Sequence, residues 1–109
     1  MRKKQYENYK KLKEDDIPIV RDGAEFLTPE KIYIEKKRMT VAASTQPDWE
    51  LLEKRLEKKL EKGMLMTVYE MTGMITPKQQ LEEVKSRTAI GYKFLLAEHG
   101  LLQYLMSYE

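Results

Sequence analysis

Residues 47–63, PDWELLEKRLEKKLEKG, constrain the fold more than any other stretch of this chain. Trp49, Leu52, Leu56 and Leu60 recur at steps of three and four, and almost everything between them is charged. At about 100° per residue those four side chains gather into one stripe, so the segment is predicted to be an amphipathic helix. Pro47 suits its first turn, where a missing N–H has no partner to lose. Asp48 and Glu50 sit near the positive end of the helix dipole, and Gly63, just after Lys62, is a natural stop.

The charges around that stripe are sorted. Glu50, Glu53, Glu57 and Glu61 fall on one flank, while Lys54, Arg55, Lys58, Lys59 and Lys62 take the other flank and the back. Like charges at steps of four cost an isolated helix about 0.2–0.5 kcal/mol per pair, so the sorting carries a penalty. A seam flanked in this way either packs on the chain's own strands, with both flanks solvated, or meets a partner helix whose orientation the flanks select.

Elsewhere the texture varies. Residues 1–16 are a highly charged segment, expected to be helical or partly flexible, with Tyr6, Tyr9 and Leu12 at steps of three. Pro18 discourages its continuation. From 17 to 109 we expect a single α+β domain. Asp22-Gly23 between the apolar stretches IPIV and AEFL is a hairpin signal, because glycine accepts the positive φ of tight turns. KIYIE (31–35) and RMTVAA (38–43) are read as further short strands of the same small antiparallel sheet, two to four strands in all. Residues 64–75, MLMTVYEMTGMI, fit a buried strand or a helical turn equally. Thr76-Pro77-Lys78-Gln79 matches a capping box and opens a long or broken C-terminal helix, with Gly100 a candidate break.

Several function classes are disfavoured. The chain of 109 residues has no cysteine, so thiolate nucleophiles, disulfides and cysteine-based zinc sites are excluded. His99 is the only histidine, and the serines lack a nucleophile-elbow context. Neither a phosphate-binding loop nor a dinucleotide fingerprint occurs. No cofactor, metal or enzymatic activity is expected. No apolar run approaches the roughly 20 residues of a membrane span, so a cytoplasmic protein without membrane contact is expected.

Two interaction classes remain. Lys and Arg total 20 against 18 acids, a net charge of only +2, so nucleic-acid binding would have to rest on local clustering. The one cluster is N-terminal: Arg2, Lys3, Lys4, Lys10, Lys11 and Lys13 surround Tyr6 and Tyr9, offering phosphate partners interleaved with stacking rings. Against it stands the acidic run Glu14–Asp16. The clustered methionines Met64, Met66, Met71 and Met74 are read as core filler. The helix from Ala89 onward is apolar on more than one side, as a helix buried by neighbours or by another subunit would be. The leading expectation is therefore a non-enzymatic protein–protein interaction module, self-associating or a small accessory subunit of a larger bacterial or viral assembly. Its surfaces would be Trp49, Leu52, Leu56 and Leu60 on one side, and Phe94, Leu101, Tyr104, Leu105 and Tyr108 on the other.

Overall fold

A computed structural model describes residues 1–35, 47–71 and 73–107 of the chain. The architecture is α+β, as expected. In order along the chain come α1 (Lys3–Lys11), β1 (Val20–Asp22), β2 (Glu25–Leu27), α2 (Pro29–Ile34), α3 (Trp49–Glu61), β3 (Val68–Glu70), β4 (Gly73–Ile75), α4 (Pro77–Lys85) and α5 (Ala89–Ser107). The strands form two separate antiparallel hairpins, β1–β2 and β3–β4, rather than one sheet.

Asp22-Gly23 does turn the first hairpin. Val20 faces Leu27 and Asp22 faces Glu25, leaving Gly23 and Ala24 as the loop, with Gly23 at φ +61°. The KIYIE stretch is a correction: it is helical, not a strand. Thr28 caps α2 by accepting a hydrogen bond from the Lys31 amide at 3.1 Å, and Pro29 occupies the first helical position. These start signals outweigh the strand propensity of Ile32, Tyr33 and Ile34. The candidate strand at 38–43 lies outside the described residues.

Helix α3 begins two residues later than Pro47 suggested. Asp48 is the cap, its carboxylate accepting from the amides of Glu50 (3.0 Å) and Leu51 (3.3 Å). At the other end Gly63, at φ +68°, closes a Schellman motif: its amide donates to Leu60 O and that of Met64 to Lys59 O. Helices α1 and α4 stop in the same way, with Lys13 (φ 59°) and Arg87 (φ 53°) in the left-handed position that glycine usually fills.

Residues 64–75 hold the second hairpin. Val68 pairs with Ile75, Tyr69 with Met74 and Glu70 with Gly73. The capping box at Thr76 is complete, with Gln79 reaching back to the Thr76 amide at 2.9 Å. The C-terminal helix is broken at 86–88, not at Gly100, through which α5 runs unbroken. Thr88 starts α5 by accepting from the Gly91 amide at 3.0 Å.

Two apolar clusters organise the interior. Tyr9, Ile19, Val20, Leu27, Ile32, Leu51 and Leu102 form the first. Leu52, Leu56, Val84 and Leu95 form the second, with Trp49, Leu65, Leu81 and Phe94 packed against it. Neighbouring residues of α3, Leu51 and Leu52, thus serve different clusters, and α5 contributes Leu95 to one and Leu102 to the other. The close seating of α4 on α5 depends on Gly91, where a Cβ would stand 2.3 Å from the Glu83 carbonyl oxygen.

Candidate functional sites: a buried ion network and an exposed apolar surface

On α3, Leu51, Arg55, Lys59 and Lys62 follow one another at helical spacing and form a second stripe beside the apolar one. Its leucine enters the first cluster, and its cations are not solvated as expected. Arg55 is completely buried. Its Nη2 lies 2.7 Å from Glu14 Oε1 and 2.8 Å from Glu98 Oε1; Nε donates to Glu98 at 3.0 Å and Nη1 to the Pro18 carbonyl at 2.8 Å. Lys59 Nζ joins Glu98 at 2.6 Å, and Lys62 reaches Asp16 at 2.5 Å. The loop after α1 is thereby tied to α3 and α5. Two cations and two carboxylates balance in the interior, which is how buried charge becomes tolerable.

Electrostatics follow from that geometry. Burial alone would push the Glu98 carboxyl up, but the Arg55 guanidinium and the Lys59 ammonium outweigh it and hold Glu98 below the usual carboxylate range. At Asp16 burial likewise pushes up and is overcome, chiefly by the Lys62 hydrogen bond and charge. Tyr9 goes the other way: burial pushes its phenol to about 12, with Arg55 pulling down and Glu14 adding a smaller upward push. Tyr9 Oη and His99 Nε2 are buried without a hydrogen-bond partner among the described residues. Arg55, bonded on all three nitrogens, has no donor group left idle for a substrate, and no cluster of metal-ligating side chains occurs among the described residues.

The expected interaction residues divide. Leu52 and Leu56 are buried in this chain's own second cluster, with Trp49 and Phe94 packed on it. Leu60 is half-buried. Trp49 also tilts against Tyr92, ring centroids 6.3 Å apart, and lies under Arg87. Leu105 is half-buried on the first cluster, whereas Leu101 and Tyr104 are exposed. Tyr108 lies outside the described residues.

Of the basic N-terminal set, Arg2, Lys3, Lys4, Lys10, Lys11 and Lys13 are exposed, but the rings are committed. Tyr9 sits in the first cluster, and Tyr6 stacks on Tyr33 with centroids 4.4 Å apart and 11° between planes. Lys10 lies over the Tyr6 ring. As folded, this helix offers cations for phosphates but not its buried ring for bases.

A surface not expected from the sequence is the exposed side of the β3–β4 hairpin. Met66 is 80% exposed, Tyr69 76% and Met74 62%, and Met71 is fully exposed, so these methionines are not core filler as expected. Alternation explains part of it: Val68 and Ile75 turn inward, so their strand neighbours Tyr69 and Met74 turn outward, while Met66 lies before β3 and Met71 in the turn after it. The buried Gln80 fastens the hairpin by donating from Nε2 to Met66 O (2.7 Å) and Ile75 O (3.4 Å). The outer face of α5 adds Tyr92, Leu96, Ala97, Gly100, Leu101 and Tyr104, with Lys93 the only formally charged side chain among them. Lys93 reaches Glu70 of the hairpin at 3.7 Å, which joins the two exposed regions. Past Tyr104 the surface enters a groove of about 210 Å³ between α1 and α5, lined by Leu12 and Leu105 among others.

No helix among the described residues is long and apolar enough to cross a membrane. Comparison with protein-family models, with curated proteins and with solved structures gave no match.

Proposed function

We propose that this chain is a non-enzymatic protein–protein interaction module, an assembly subunit that docks through the β3–β4 hairpin and the outer face of α5. The observation that carries the reading is the β3–β4 hairpin pinned to α4, whose cross-strand pair Tyr69 and Met74 is exposed, as are Met66 just before it and Met71 in its turn. Contiguous exposed apolar surface marks interaction sites, and methionine and tyrosine are the residue types enriched at the centres of interfaces. Methionine's unbranched, polarisable side chain also adapts to a partner's relief. The buried charges are consistent with the same reading, because Arg55 and Lys59 are engaged with Glu14 and Glu98 inside the chain's own fold.

Peroxide footprinting tests this directly, since exposed thioethers oxidise to sulfoxides. In the purified chain at low concentration, Met66, Met71 and Met74 are expected to oxidise at the rate of free methionine. In gently lysed cells of the native source the same residues are expected to be several-fold slower. Equal rates in both settings would remove the proposal.

A further inference from the structure

We infer that the groove between α1 and α5 receives an acidic peptide segment, one bulky apolar side chain of which sits between the two helices. This rests on the interaction reading above and gives the partner a chemistry at the place where the exposed α5 face ends.

The size of the groove decides between kinds of ligand. Its volume is about 210 Å³, with Tyr9, Leu12, Tyr104 and Leu105 among its walls. Small-molecule sites usually offer about 300–1,000 Å³ and enclose most of the ligand, whereas a cavity of about 150 Å³ already holds a benzene ring. One phenylalanine or leucine side chain therefore fits, with the rest of its chain lying outside. Leu12, 47% exposed, and Tyr104, 61% exposed, are the parts of the wall that such a chain would cover.

Charge sets the sign of that chain. Lys4, Asn8 and Lys11 follow at steps of four and three along α1, so they share one face of the helix, and Asn8 and Lys11 line the groove. Both lysines are exposed, and neither has an ion-pair partner among the described residues. Glu7, the one acid of α1, does not line the groove. The acids that follow the helix are engaged elsewhere: Glu14 is buried against Arg55, and Asp16 is held by Lys62. On the opposite wall, residues 99–105 of α5 include no acid. A carboxylate brought to this rim meets uncompensated positive charge, and a cation is repelled. The Asn8 side-chain amide, without a hydrogen-bond partner among the described residues, offers both donor and acceptor, which is what a peptide bond needs. Nucleic acid would use the same lysines but is served less well. Strand-binding proteins stack bases on open ring faces, and the α1 rings Tyr6 and Tyr9 are committed to Tyr33 and to the first cluster.

Random peptides about a dozen residues long, displayed on phage and selected on the full chain at low salt, test this without assuming a partner. The enriched peptides are expected to carry a phenylalanine, tryptophan or leucine with two or more acids near it. A synthetic copy of the best one should bind at least about fivefold more weakly to the double variant Lys4→Glu, Lys11→Glu, with a smaller loss for Lys4→Gln, Lys11→Gln. These exposed exchanges should keep the wild-type circular dichroism and melting curve. Asn8→Trp, whose ring would fill the groove, should remove most of the affinity. Selection without enrichment for acids, or a peptide whose affinity ignores the lysine variants, overturns the inference. So does an oligothymidine strand that binds through the same lysines more tightly than the selected peptide. Methionine oxidation keeps the two readings apart. If Met71 is protected in cells while the groove selects no acidic peptide, the interaction reading stands and this inference falls. An unprotected Met71 beside a clear acidic selection moves the docking surface from the hairpin to this groove.

Discussion

Remove the Arg55 side chain, and Glu14 and Glu98 become two buried carboxylates sharing Lys59. Stranding a buried ion in this way typically costs about 3–5 kcal/mol, a large part of the roughly 5–15 kcal/mol that holds a domain together. Arg55→Met is therefore expected to lose about 3–5 kcal/mol in urea unfolding at pH 7. Tyr9 is the opposite case, because its hydroxyl has no hydrogen-bond partner among the described residues. Its phenol is pushed to about 12 when folded, against about 10 in an unfolded chain, so the folded state holds the proton more tightly. The associated stability is present below pH 10 and lost as pH rises toward 12. Tyr9→Phe should remove that alkaline loss and be no less stable at pH 7, as pH-dependent melting would show. Neither role was legible in the sequence. Arg55 falls within a run of charge, and its carboxylate partners are 41 and 43 residues away. Periodicity locates a side chain on a helix face, but only distant partners make burying a cation tolerable.

Among the elements, the signals that were legible are those made by neighbouring residues. Asp22-Gly23, Gly63 and the capping box at Thr76 each complete a hydrogen-bonding or backbone requirement within a few positions. Thr28-Pro29 carries the same threonine–proline start as Thr76-Pro77, yet the branched and aromatic residues after it read as a strand. Local capping was the better guide there, because six residues are too few for periodicity to speak. The hairpin at 68–75 was ambiguous for the same reason. Its outward methionines could not be told from core until the pairing showed which side faces α4. The packing of α4 on α5 yields a test of its own. Gly91→Ala improves helix propensity but drives a methyl into the Glu83 carbonyl, and is expected to cost about 1–3 kcal/mol in chemical denaturation.

For the molecule as a whole, the α+β class was legible from the sequence, while the division of the interior into two clusters with charge between them was not. Along α5 the order is Leu95, Glu98, Leu102, so the ion network stands between the two apolar clusters. Stability should therefore depend on acid. Glu98 and Asp16 both have folded values below their unfolded ones, about 4.3 for glutamate and 3.9 for aspartate. Their contribution is present above those values and lost as pH falls through the lower folded ones. The melting temperature is expected to hold between pH 7 and 5 and to drop below about pH 4.5. Glu98→Gln should start lower at pH 7 and show a shallower acid decline. The same interlocking limits how such a sequence can drift over generations. Leu51 and Leu52 look into different clusters, and Arg55 and Lys59 answer carboxylates on other elements, so α3 has little face left to vary. Exchanges should accumulate freely at the exposed Glu61, whereas positions 14, 55, 59 and 98 should change only together, as a set that keeps its charges balanced.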